Sequence, residues 1–137
     1  MPLTPPSSRY ERLRASDKTR FINGNLTSSS ATLTVWSPPS GKRFVLKGWR
    51  IVAITTGNVT TSVPFVVQLI DSVAGNGSAP VFAFEEAPPN GVVMHDTLEI
   101  PDGWVSGAAG RDLKISTTAP ITNGVLYLNG IVWGEER

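Results

Sequence analysis

At 137 residues, 40% of them hydrophobic and 17% charged, the chain is long enough for one domain with a core that needs no metal or disulfide. It contains no cysteine, which excludes a disulfide scaffold, a thiol nucleophile and a cysteine-ligated zinc site. The net charge of +1 is unevenly spread: residues 1–20 carry Arg9, Arg12, Arg14, Lys18 and Arg20 against Glu11 and Asp17, a net +3.

Residues 1–20 read as an extended basic arm. Pro2, Pro5 and Pro6 favour extended backbone and forbid a regular helix. Such a segment is ordered by the surface it lies on, and its charge suits an acidic neighbour. Arg9, Tyr10, Arg12, Arg14, Lys18 and Arg20 are its candidate contacts. Nucleic acid is disfavoured as that neighbour, because two acids interrupt the basic residues and Tyr10 is the sole aromatic among them. The opening Met-Pro-Leu-Thr-Pro-Pro-Ser-Ser lacks the pattern of a secretory signal, and no apolar run reaches the roughly 18 residues of a membrane-spanning helix. No membrane partner is expected.

From residue 21 to 137 the pattern is that of strands. Phe21-Ile22 reads as a strand end entering a tight turn at Asn23-Gly24, a dipeptide suited to the positive φ values of hairpin turns. In the next run Ala31, Leu33 and Val35 alternate with Thr32, Thr34 and Trp36, the period of a half-buried strand. Ser37-Pro-Pro-Ser-Gly41 closes it.

Arg43 to Thr56 is the longest strand signal, dense in branched and aromatic residues that pack well on a pleated surface. Its alternation changes phase: Phe44 and Leu46 share one side, whereas Trp49, Ile51 and Ala53 fall on the other. A β-bulge near Lys47-Gly48 would bring both sets to one face, because an extra residue reverses the side that later side chains cover. Further strands are expected over Val63–Asp71, Pro80–Glu86, Val92–Ile100, Asp112–Thr118 and Gly124–Trp133. Between them lie turns at Gly75-Asn-Gly77, Ala87-Pro-Pro-Asn-Gly91, Pro101 to Gly110 and Ala119-Pro-Ile-Thr-Asn123. About eight short strands without crossover helices predict an all-β, antiparallel β-sandwich of jelly-roll type behind the arm.

Few residues suggest chemistry. His95-Asp96 is the one histidine beside an acid, but adjacent strand residues face opposite ways. Asp71-Ser-Val-Ala-Gly-Asn-Gly77 has oxygen donors around a glycine turn yet lacks the spaced ligands of a calcium loop. Glu85 and Glu99 have no spacing that marks a glycosidase pair. No enzyme activity, cofactor or metal is expected. The aromatic residues carry the functional reading. Trp36 and Trp49 read as core, whereas Trp104, in the glycine-rich Pro101–Gly110 loop, is a candidate for insertion into a partner, joined by Tyr127 and Trp133.

The stretch from Gly110-Arg-Asp-Leu-Lys-Ile to Gly130-Ile-Val-Trp-Gly134 resembles the last two strands of small β-sandwich virion proteins from tailed bacteriophages, and Phe44-Val-Leu-Lys-Gly-Trp-Arg-Ile51 resembles their early strand. The arm is similar to those with which capsid decoration proteins grip a neighbour. The resemblance implies a homotrimer on the capsid surface of a virion, clamping adjacent subunits of the major capsid protein, with no catalytic residues. The alternatives are a tail-fibre or baseplate receptor-binding domain, or a carbohydrate-binding module in which Trp104 stacks on a glycan.

Overall fold

The computed structural model describes residues 17–60, 65–73, 77–84 and 88–137. The eight strands are β1 (Lys18–Leu26), β2 (Thr32–Trp36), β3 (Phe44–Thr60), β4 (Phe65–Ile70), β5 (Ser78–Phe84), β6 (Val93–Val105), β7 (Leu113–Thr117) and β8 (Asn123–Glu136). They form two four-stranded antiparallel sheets, in the orders β1-β8-β3-β6 and β2-β7-β4-β5. The pairs β1·β8, β2·β7, β3·β6 and β4·β5 are nested, as if one long antiparallel hairpin had been rolled up across two layers. That is the jelly-roll arrangement, and the expected β-sandwich is what the chain forms.

The core lies between the layers. Leu26, Phe44, Leu46, Trp49, Ile51, Leu126 and Leu128 from the first sheet meet Trp36, Leu69, Leu113 and Ile115 from the second, all fully buried. The expected bulge is present. Opposite β8 the register steps from Leu46↔Gly134 to Gly48↔Trp133, so Lys47 has no facing residue and both Leu46 and Trp49 point inward. A second bulge between Thr34 and Trp36 turns Trp36 into the core as well, against the simple alternation read from that run.

Three local expectations are corrected. Asn23-Gly24 is not a turn: it lies within β1, where Gly24 faces Leu128 across the ladder. A Cβ on Gly24 would lie 2.5 Å from Leu33 Cδ1, so this glycine makes room for packing between the layers. The arm boundary also moves, since β1 begins at Lys18 and takes Lys18, Thr19 and Arg20 into the sheet. Finally, Pro101-Asp-Gly103 does not end β6. Glu99 pairs with Gly48 and Trp104 with Leu46, so residues 100–103 bulge out opposite Lys47 and the strand resumes. β6 is an edge strand, where a missing proline N–H costs no ladder bond.

The first and last strands are tied together beside the core. Glu136, its side chain 7% exposed, accepts hydrogen bonds at Oε1 from Trp36 Nε1 (2.9 Å) and Arg20 Nη2 (3.0 Å), with Lys18 Nζ 3.4 Å from Oε2. Arg20 also lies 5.5 Å from the centroid of the Trp36 ring. Burial pushes the Glu136 carboxyl up, but the Trp36 and Lys18 hydrogen bonds and the Lys18 and Arg20 cations outweigh it and hold the group below its ordinary value. A depressed carboxyl stabilises the fold above its unfolded-state pKa, and that contribution is lost as the pH falls through the lower folded-state value. Thermal unfolding followed from about pH 5 down to pH 3 should therefore show a steeper loss of Tm in the wild type than in Glu136→Gln. Parallel curves for the two would mean that Glu136 is not part of the acid response.

Candidate interaction surface

Each strand of the first sheet turns alternate residues away from the core, and the register assembles these into rows. Phe21, Ile131, Arg50 and Thr97 form one row. Asn23, Asn129, Val52 and His95 form the next, and Asn25, Tyr127, Ile54 and Val93 the third. Phe21 is 81% exposed, Val93 53%, Tyr127 47% and Ile54 41%. Val52 and Ile131 are half-buried between them. Four of the seven large hydrophobic residues exposed among the described positions therefore lie in these three rows. Apolar side chains gathered on one sheet face, rather than scattered singly, make that face a candidate contact surface.

Arg50 lies inside this apolar field and makes no ion pair among the described residues. At the Trp133 end of the face the charges are paired instead. Lys47, on the bulge, places Nζ 2.7 Å from Asp17 Oδ1 and 3.6 Å from Glu135 Oε2, while Arg137 Nη2 lies 2.7 Å from Glu135 Oε1. The Asp17 side chain is 5% exposed. This cluster holds Asp17 at the rim of the apolar face.

The residues singled out from sequence separate into three groups. Arg9, Tyr10, Arg12 and Arg14 lie outside the described residues. Lys18 and Arg20 belong to β1 and are paired with Glu136, so they are part of the sandwich rather than of a free arm. Tyr127 and Trp133 both lie on the outer face, Tyr127 exposed and Trp133 half-buried over Gly48. Trp104 is not a loop residue. It stands in β6, half-buried, and meets Phe44 edge to face at 6.1 Å and 73°. Its indole extends the Trp36–Phe44 pair at the end of the core, which leaves it badly placed to insert into a partner.

The chemical candidates resolve in the same way. His95 faces outward, whereas Asp96 faces inward and accepts a 2.6 Å hydrogen bond from Trp49 Nε1, so the two do not act together. Asp71 is fully buried; its Oδ2 accepts from the Gly107 amide (2.9 Å) and lies 3.3 Å from Arg111 Nη1. It clips the loop between β6 and β7 to the end of β4. Glu85 lies outside the described residues, so the Glu85–Glu99 pairing has no geometry to report. Among the described residues no group of three histidine or acidic side chains could hold a metal ion.

Phe21, Val52, Ile54 and Val93 were missed by the sequence reading. A signal for two of them is present: Ile51-Val-Ala-Ile54 is apolar at every position, and a strand apolar on both sides has both sides covered.

No family model matches the chain, and no curated protein matches it. It is similar to a chain of the solved "Cyanophage Pam1 capsid asymmetric unit" at 15% identity and a TM-score of 0.49, over 98% of this chain and 99% of that one. It is also similar to a Drosophila NLP-core chain, described for its pentamer formation and histone binding, at 16% identity and a TM-score of 0.35, over 86% of this chain and 98% of that one. Neither superposition is close enough to carry an argument about function.

Proposed function

We propose that the chain is a non-enzymatic structural protein of a phage virion, which seats as a homotrimer on the outer surface of the capsid and stabilises it by clamping adjacent subunits of the major capsid protein. One observation supports this reading above the others: Phe21, Val52, Ile54, Val93, Tyr127 and Ile131 gather on one face of the first sheet. The basic sequence before Asp17, a residue that Lys47 holds at the rim of that face, supplies a second, electrostatic grip on an acidic neighbour. Joined in a closed ring, several modest contacts reinforce one another through effective concentration. A tail-fibre or baseplate location would use the same face and differ only in its place on the particle.

The test uses Phe21→Ser combined with Tyr127→Ser, and separately a deletion of residues 1–16. Sedimentation reads self-association, and co-sedimentation with capsids stripped of the protein reads attachment. Removing two apolar anchors should weaken attachment or self-association by about 30-fold while circular dichroism stays unchanged. The deletion should leave a folded domain that attaches more weakly. A purified chain that is monomeric and ignores capsids would overturn the proposal, as would attachment untouched by both changes.

A further inference from the structure

The first sheet ends in two edges of opposite charge. β1, at one edge, carries Lys18 and Arg20 and no acid, whereas β6, at the other, carries Asp96, Glu99 and Asp102 and no lysine or arginine. Each pairs on one side only, β1 with β8 and β6 with β3. Their outer rows of N–H and C=O groups therefore have no backbone partner among the described residues. Such an edge is a template for another strand, and lysine, proline or a bulge commonly blunts it. From Val93 to Glu99 β6 has none of these. Both edges also expose apolar side chains: Phe21 on β1, and Val93, Leu98 and Val105 on β6. Leu98 stands opposite Trp49 and so faces the core side, yet it is 46% exposed, because the second sheet leaves it uncovered.

We infer that β6 of one copy pairs antiparallel with β1 of the next, so that the first sheet runs on from copy to copy. This rests on the self-association proposed above and assigns it to these two edges. Like edges are poor partners, since β6 against β6, or β1 against β1, sets like charges side by side. Unlike edges match in direction as well as in charge. The four strands alternate, so β1 and β6 run opposite ways, and rotation about an axis along the strands brings them together antiparallel. A register with Thr19 opposite Thr97 keeps the core and outer sides in phase, and it brings Arg20 to Asp96 and Ile22 to Met94. The Arg20 side chain is 38% exposed despite its bond to Glu136, and Asp96 bonds Trp49 through Oδ2, so each has a side open to the other. On the outer side Phe21 comes beside His95, which joins the apolar rows of neighbouring copies. The contact is heterologous and closes as a ring.

The chain has no cysteine, so the test combines Thr19→Cys with Thr97→Cys in the full chain, oxidised mildly and run on a denaturing gel without reductant. Both positions are exposed. Within one copy they lie on opposite edges, three strand spacings or about 14 Å apart, beyond the reach of a disulfide. The double variant should give covalent oligomers ending at a trimer, and neither single variant should link. Leu98→Lys sets a further cation against Lys18 of the next copy and should weaken self-association about ten-fold in sedimentation, with circular dichroism unchanged. A dimer from Thr97→Cys alone would mean that β6 meets β6 and would overturn the inference. So would a monomeric chain, or self-association indifferent to Leu98→Lys. A double variant that attaches to capsids and self-associates without linking overturns the edge pairing and leaves the capsid reading standing. A linked ring of another size supports the pairing and removes the homotrimer.

Discussion

Replacing Trp49 with alanine should destabilise the fold by about 4 kcal/mol, which is a large part of the total stability of a domain this size. Trp49 is 1% exposed and sits immediately after the bulge, at the point where β3 turns its largest side chain into the space between the layers. Truncation removes that apolar contact and leaves a cavity that two hydrogen-bonded sheets cannot close by sliding. It also deprives Asp96 Oδ2 of its 2.6 Å indole partner. Trp49→Phe separates the two effects: it keeps most of the buried surface and loses the hydrogen bond, for an expected cost of about 1–2 kcal/mol. Urea unfolding midpoints, with the slope unchanged, give both values. Equal losses for alanine and phenylalanine would show that the hydrogen bond, not the packing, dominates at this site.

Gly48→Val should cost about 3 kcal/mol or more, by crowding rather than by loss of contact. A Cβ on Gly48 would lie 2.6 Å from Trp133 Cε2 and 2.7 Å from the Leu98 carbonyl oxygen. The indole of Trp133 can tilt, but the Leu98 carbonyl belongs to the β3·β6 ladder and cannot move without breaking register. Gly48→Val with Trp133→Ala should therefore recover only part of the lost stability. Full recovery in the double variant would mean that the ring, not the neighbouring backbone, demands glycine here. The same packing explains Trp133: its ring covers the bulge, so its place on the outer face is structural before it is available to a partner.

The bulge shows how far local pattern reaches. Phe44 and Leu46 conflict in phase with Trp49, Ile51 and Ala53, and any strand burying both sets must contain an odd residue between them. That inference needs no partner strand. Asn23-Gly24 shows where local pattern fails. The dipeptide favours a turn by itself, yet nine consecutive pairings of β1 with β8 and the space taken by Leu33 draw it into extended backbone. Pro101-Asp-Gly103 was misleading in a related way. The turn it encodes is present, but as a bulge inside an edge strand whose far side is drawn back by Trp104 packing on Phe44.

The apolar face was less legible than the fold. Phe21, Val52, Ile54, Val93 and Tyr127 come from four strands and mean little one by one, since single exposed hydrophobic residues are ordinary. Glu136 is a plainer case. As one of two acids at the end of β8 it has no distinguishing pattern, and only the nested β1·β8 pairing brings it to Lys18, Arg20 and Trp36.

By itself the chain determined its class, most of its strand segments and the break at Lys47-Gly48, because side-chain alternation and turn chemistry are properties of a few consecutive residues and are written locally. Which strands are neighbours, and therefore which side chains share a face, was decided by the tertiary structure. The first and last strands pair across more than a hundred residues, and many registers are equivalent to the local backbone. Only simultaneous burial of both layers selects one of them.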